Sequence, residues 1–131
     1  MKLFLLFVLF LFFQSCTSSL ILTKATSQYW CVKEKNIEGM NYHILLKTKT
    51  SYVNVTFDSL TVNNASIKDF SYSVIGKSIN EQKFNQGDTI IVSFNKIGEK
   101  HLEPIRIYYR YKQRPKSILI SNIKELQSLC P

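Results

Sequence analysis

Period-two alternation of apolar and polar residues, recurring from Tyr42 to Ile120, is the feature that most restricts how this chain can fold. Alternation puts every second side chain on one face of an extended strand, so each run demands a sheet with one buried face. Tyr42, Ile44 and Leu46 share a face, and so do Val53, Val55 and Phe57. Leu60 and Val62 precede Asn63-Asn64, a pair suited to a tight turn, while Phe70, Tyr72 and Val74 precede Gly76. Asn85-Gln86-Gly87-Asp88 reads as a turn before the run over residues 89–94. In the longest run, Ile105, Ile107, Tyr109 and Tyr111 line one face against Arg106, Tyr108, Arg110 and Lys112; Pro115 ends that strand or sits at its edge. Residues 117–120 form a last strand, and residues 122–129 read as one or two helical turns capped by Asn122. No long amphipathic helix pattern occurs. About seven short strands with turn signals at close intervals predict an all-β fold, a single antiparallel β-sandwich of Ig-like kind, with a barrel as the alternative.

The first residues carry a different signal. Met1 and Lys2 precede an uncharged apolar run over residues 3–13. As a helix it would span about 16 Å, whereas a bilayer core needs about 20 apolar residues, so it reads as a signal-peptide core rather than a permanent span. The boundary Phe13-Gln14-Ser15-Cys16, followed by Thr17-Ser18-Ser19, resembles a bacterial lipoprotein signal. That resemblance implies that Cys16 is diacylated on sulfur and becomes the new N-terminus, anchoring the protein through its acyl chains. The alternative is an ordinary signal peptide cut nearby, which would leave a soluble secreted chain. The expected organisation is a signal peptide over 1–15, a lipidated cysteine and Ser/Thr-rich tether over 16–28 with room for a short first strand, and the β-sandwich domain over 29–131.

Cysteine arithmetic bears on the same question. The chain has three cysteines, Cys16, Cys31 and Cys130. If Cys16 carries lipid, Cys31 and Cys130 remain as a candidate disulfide in an oxidising compartment, or as two independent buried thiols. A bridge would close a loop of about 100 residues, for which chain-entropy models give about 4.7 kcal/mol.

Removing residues 1–15 from the 131 leaves 116, enough for one domain with a modest core. Lys and Arg number 17 against 9 Asp and Glu, a net charge of +8. Such a balance favours anionic neighbours, lipid headgroups or acidic glycans, and equally keeps a protein soluble.

Tyr29-Trp30, the segment Gly39-Met40-Asn41-Tyr42, the strand Val55-Thr56-Phe57-Asp58-Ser59-Leu60 and the turn-strand Phe84-Asn85-Gln86-Gly87-Asp88-Thr89-Ile90 together resemble small lipoproteins of Bacteroidota. The resemblance covers most of the mature chain and implies a lipid-anchored envelope protein. It brings no biochemical activity with it. Surface-exposed members carry an acidic stretch after the cysteine; residues 17–21 have none, which implies an inner- or outer-membrane anchor facing the periplasm.

No pattern for catalysis stands out. His43 and His101 have no close-spaced partner ligand, so no metal site is expected and each reads as a surface or strand-face histidine. There is no nucleophile elbow and no phosphate-cradling glycine loop. Asp58, Asp69, Asp88, Glu99 and Glu103 are available carboxylates, of which Asp58 and Asp88 read as turn formers. The expectation is a non-enzyme without cofactor. Its partners would be the membrane and an envelope protein or an anionic glycan or lipid, with nucleic acid not expected. The candidate site for an anionic partner is the stripe Arg106, Tyr108, Arg110 and Lys112, a cationic strand face with an aromatic rung. Charges there also discourage edge-to-edge aggregation. Trp30 would pack on a Cys31–Cys130 bridge or in the core. Asn54-Val55-Thr56 and Asn64-Ala65-Ser66 match the N-glycosylation pattern, which fits the secreted alternative.

Overall fold

The computed structural model describes residues 20–49, 53–77, 83–98 and 104–130; the expectations for the signal peptide and for Cys16 lie outside these residues. Ten strands are present among them: β1 (Leu20–Val32), β2 (Ile37–Thr48), β3 (Val53–Val62), β4 (Ala65–Ile67), β5 (Phe70–Val74), β6 (Lys83–Phe84), β7 (Thr89–Ile97), β8 (Ile105–Tyr111), β9 (Arg114–Ile120) and β10 (Lys124–Glu125). A 3-10 turn over Lys33–Lys35 joins β1 to β2. One sheet has the order β10-β1-β2-β7-β5 and the other β4-β3-β8-β9, with β6 added to β3. The two sheets pack as a sandwich and do not close into a barrel.

The alternation read from the sequence sets the inner faces. Tyr42, Ile44 and Leu46 of β2 are buried against Ile90, Val92 and Phe94 of β7 on one sheet; Val55, Phe57, Leu60 and Val62 of β3 and Ile105, Ile107 and Tyr109 of β8 are buried on the other. The Phe57 ring reaches across the gap to Tyr72 of β5 with 4.8 Å between centroids, and Tyr42 stacks on Phe94 at 4.7 Å. Such pairs favour one packing of the sheets beyond the area they bury.

Strand β3 merges two runs that differ in phase. Its pairing with β8 shifts between Phe57 and Ser59, leaving Asp58 as the extra residue of a bulge. The bulge lets odd-numbered Val55 and Phe57 and even-numbered Leu60 and Val62 all face inward. Asp58 is thus a bulge residue within a strand and not the turn former expected.

Strand β1 begins at Leu20, so the described part of the expected tether, residues 20–28, is all sheet. A register shift between Leu22 and Lys24 moves the inner face from Leu20 and Leu22 to Ala25 and Ser27, which hides its alternation in the sequence.

Residues 122–129 are not helical. Thr26 and Ser27 of β1 pair in parallel with Lys124 and Glu125, and the Leu126 and Leu129 amides donate to the Ser27 and Tyr29 carbonyls at 2.7 and 2.9 Å. A segment this short is a marginal helix in water, and the open edge of β1 offers it partners for its backbone.

Candidate functional site

The cationic stripe is only partly assembled. Arg106, Tyr108 and Arg110 do share the outer face of β8, but Lys112 lies beyond the strand end, in a two-residue turn with Gln113 where both have left-handed backbone, φ 49° and 64°. That turn closes the β8–β9 hairpin, in which Tyr111 pairs with Arg114 and Arg110 with Pro115. Strand β8 therefore ends at the turn, and Pro115 sits within β9 at the sheet edge, where its missing N–H leaves no ladder bond unmade.

Two of the stripe's cations are engaged by the sheet itself. The Arg110 Nε donates to both Asp58 carboxylate oxygens at 3.1 Å, and its Nη2 lies 3.0 Å from Oδ1. Arg106 Nη1 donates to Ser117 Oγ at 3.1 Å. The Asp58 bulge is what brings a carboxylate to this face, so the middle of the stripe is close to neutral. Lys112 keeps its charge outward, with its ammonium 5.4 Å from the Tyr111 ring centroid.

At the opposite end of the molecule Cys31 and Cys130 form a disulfide, with Cα atoms 5.6 Å apart. It fastens the tail to β1. Trp30, next in the chain, is not in the core: it lies on the outer face, across Gly39 of β2, and donates from Nε1 to Asn95 Oδ1 at 2.9 Å. Beside the disulfide, Tyr29, Cys31, Val32, Lys33, Asn36, Ile37 and Glu38 line an open cleft of about 360 Å³. The Tyr29 hydroxyl donates to the Glu38 carboxylate, and that bond raises the phenol's pKa above its ordinary value.

His43 stands exposed on the outer face of β2, its Nδ1 3.0 Å from Ser93 Oγ, as a strand-face histidine was expected to. It borders a shallow groove of about 300 Å³ with Lys24, Thr26, Leu45, Ile91 and Leu126. Asp88 accepts the Asn85 amide at 2.7 Å and the Lys77 ammonium at 3.0 Å, a turn former as expected, and the Asn85 bond lowers its pKa. Asp69 is exposed, and His101, Glu99 and Glu103 lie outside the described residues. Among the described residues, no group of three or more His, Cys, Asp or Glu is placed to hold a metal ion.

Sequence reasoning passed over Lys47 and Lys49, which the fold carries to the same end of the sandwich as the Lys112 turn. It had no means of finding them, because β2 and the β8–β9 hairpin are far apart in sequence and lie on different sheets. No family model, curated protein or solved structure matches this chain.

Proposed function

We propose that this chain is an envelope lipoprotein, held at the membrane by acyl chains on Cys16 and facing the periplasm, whose β-sandwich is a non-catalytic binding or structural module. The observation that carries this reading is the Cys31–Cys130 disulfide. It accounts for two of the three cysteines and belongs to an oxidising compartment. With those two paired, no cysteine of the chain is left to pair with Cys16, which follows the apolar leader and the small residue Ser15, where acylation gives an odd cysteine a use. Engagement of Asp58 by Arg110, of Asp88 by Lys77 and Asn85, and of Glu38 by Tyr29 supports a structural role for these carboxylates over acid–base catalysis.

The test is the intact mass of the protein purified from its host's membrane fraction, beside a Cys16→Ala variant. A diacylglycerol-bearing N-terminal cysteine, lost in the variant together with membrane retention, is the expected result. A soluble chain without acyl mass overturns the anchor and leaves a secreted, disulfide-bonded β-domain.

A further inference from the structure

The registers place several chain segments at one end of the sandwich. Leu20 at the start of β1 pairs with Thr48 at the end of β2, and Lys47 pairs with Thr89 at the start of β7. On the other sheet, Val55 near the start of β3 pairs with Tyr111, which in turn pairs with Arg114 across the hairpin turn. The segment after β6 ties the two sheets together here. Phe84 pairs with Val53, while the Asp88 carbonyl accepts the Thr48 amide at 3.2 Å and Gly87 donates to the Thr48 carbonyl at 3.1 Å.

Among the described residues, this end is cationic. Lys47, Lys49, Lys112 and Arg114 are exposed around it, and none forms an ion pair with a described residue. The carboxylate of Asp88 is occupied by Lys77 and the Asn85 amide. Two bare aliphatic side chains accompany the cations: Ile75, 66% exposed, whose amide bonds Thr89, and Ile21, 43% exposed, opposite Lys47. The far end is mixed in sign, with Glu34 and Glu38 among Lys33, Lys35 and Lys96.

We infer that the end of the sandwich carrying Lys47, Lys49, Lys112 and Arg114 docks on the anionic headgroups of the bilayer. The inference rests on the anchor proposed above for its choice of partner. Thr17, Ser18 and Ser19 alone separate Cys16 from β1, and a chain that short reaches at most about 14 Å, so an acylated Cys16 would hold this end, and not the other, against the membrane. Unpaired cations meet the negative surface there, each strengthening association about fivefold. Ile21 and Ile75 enter the interfacial layer as apolar contacts do on peripheral proteins. The two acyl chains suffice to hold the protein at the bilayer, and the basic patch would then fix which face of the domain meets it.

The exported protein, as purified, is mixed with vesicles of phosphatidylcholine alone or of phosphatidylcholine with phosphatidylglycerol, and lysine acetylation rates are read by mass spectrometry. Lys47, Lys49 and Lys112 are expected to react at least about fivefold more slowly on the anionic vesicles, with the difference lost in high salt, while Lys33 and Lys35 react alike on both. Equal rates for the first group, or equal protection of Lys33 and Lys35, overturn the docking end. The intact mass of the same sample keeps the two readings apart. Acyl mass without protection retains the anchor and removes the docking end; protection without acyl mass retains the docking end and removes the anchor.

Discussion

The indole of Trp30 lies across Gly39 so closely that a β-carbon at Gly39 would sit 2.6 Å from its Cζ2 and 2.7 Å from the Lys96 carbonyl oxygen. The glycine is needed for space, because the neighbouring strands and the ring leave no volume for even a methyl group. One obstacle is a side chain that can move and the other is backbone that cannot. Gly39→Ala is therefore expected to cost about 2–3 kcal/mol in chemical denaturation. Its emission spectrum should also shift to the red, since Trp30 is the single tryptophan and would leave Asn95. Adding Gly39→Ala to a Trp30→Ala background should still cost about 1 kcal/mol, from the Lys96 carbonyl. No further loss in that background would mean that the ring is the whole obstacle.

Reduction of the Cys31–Cys130 bond, or Cys130→Ser, removes the covalent fastening of the tail. Its other attachments include the bonds from Leu126 and Leu129 to β1, the short β10 pairing, the Gln28 side-chain amide to the Gln127 carbonyl at 2.9 Å, and Ile123 packed against the core. The expected loss of global stability is about 2–5 kcal/mol. Amide exchange should locate the change: residues 124–129 and the outer edge of β1 lose protection first, while β2 and β7 in the sheet centre keep theirs until global unfolding. Uniform loss across both sheets would show that the tail is integral to the cooperative core.

How far the alternation could be followed depended on whether its phase ran unbroken. Ile105, Ile107 and Tyr109 were legible because β8 is regular and its outer face is charged. Strand β1 was not, because its register shift interrupts the pattern and its inner positions include the small or polar Ala25 and Ser27. The tail from Asn122 to Leu129 looked helical from spacing alone; its conformation is set by a distant strand edge and a disulfide. For the site, local pattern read Arg106, Arg110 and Lys112 as equals. The Asp58 bulge and the hairpin turn separate them into two engaged cations and one outward-facing cation, and both are tertiary facts.

The turn at Lys112-Gln113 carries no turn signal in the sequence, because neither residue is a usual choice for left-handed backbone, yet both adopt it, with φ 49° and 64°. Hairpins joined by two residues favour this conformation because its twist matches the strands, and Asn-Gly is the common solution. Gln113→Gly removes the steric penalty at the second position and leaves Lys112 in place. It is expected to raise stability by about 1 kcal/mol and to speed hairpin closure. A destabilised variant would show that the Gln113 side chain contributes contacts worth more than the strain it carries.

The last expectation concerns acid. Asp88 receives the Asn85 amide and, secondarily, the Lys77 ammonium, and both favour the carboxylate against the opposing effect of partial burial, so its folded pKa lies below the usual aspartate value. A lowered folded pKa means that the unfolded chain binds the proton more readily. The contribution to stability is thus complete above the unfolded pKa of about 4 and is lost as pH falls through the lower folded value. Asp88→Asn should lower stability by about 1 kcal/mol at neutral pH, the worth of a bond to an exposed charged acceptor, and its deficit should shrink on titration below pH of about 4. Lys77→Ala should have the smaller effect, because the backbone donor is the main cause of the shift. Parallel stability curves for the parent and Asp88→Asn chains down to low pH would assign the loss to shape rather than charge.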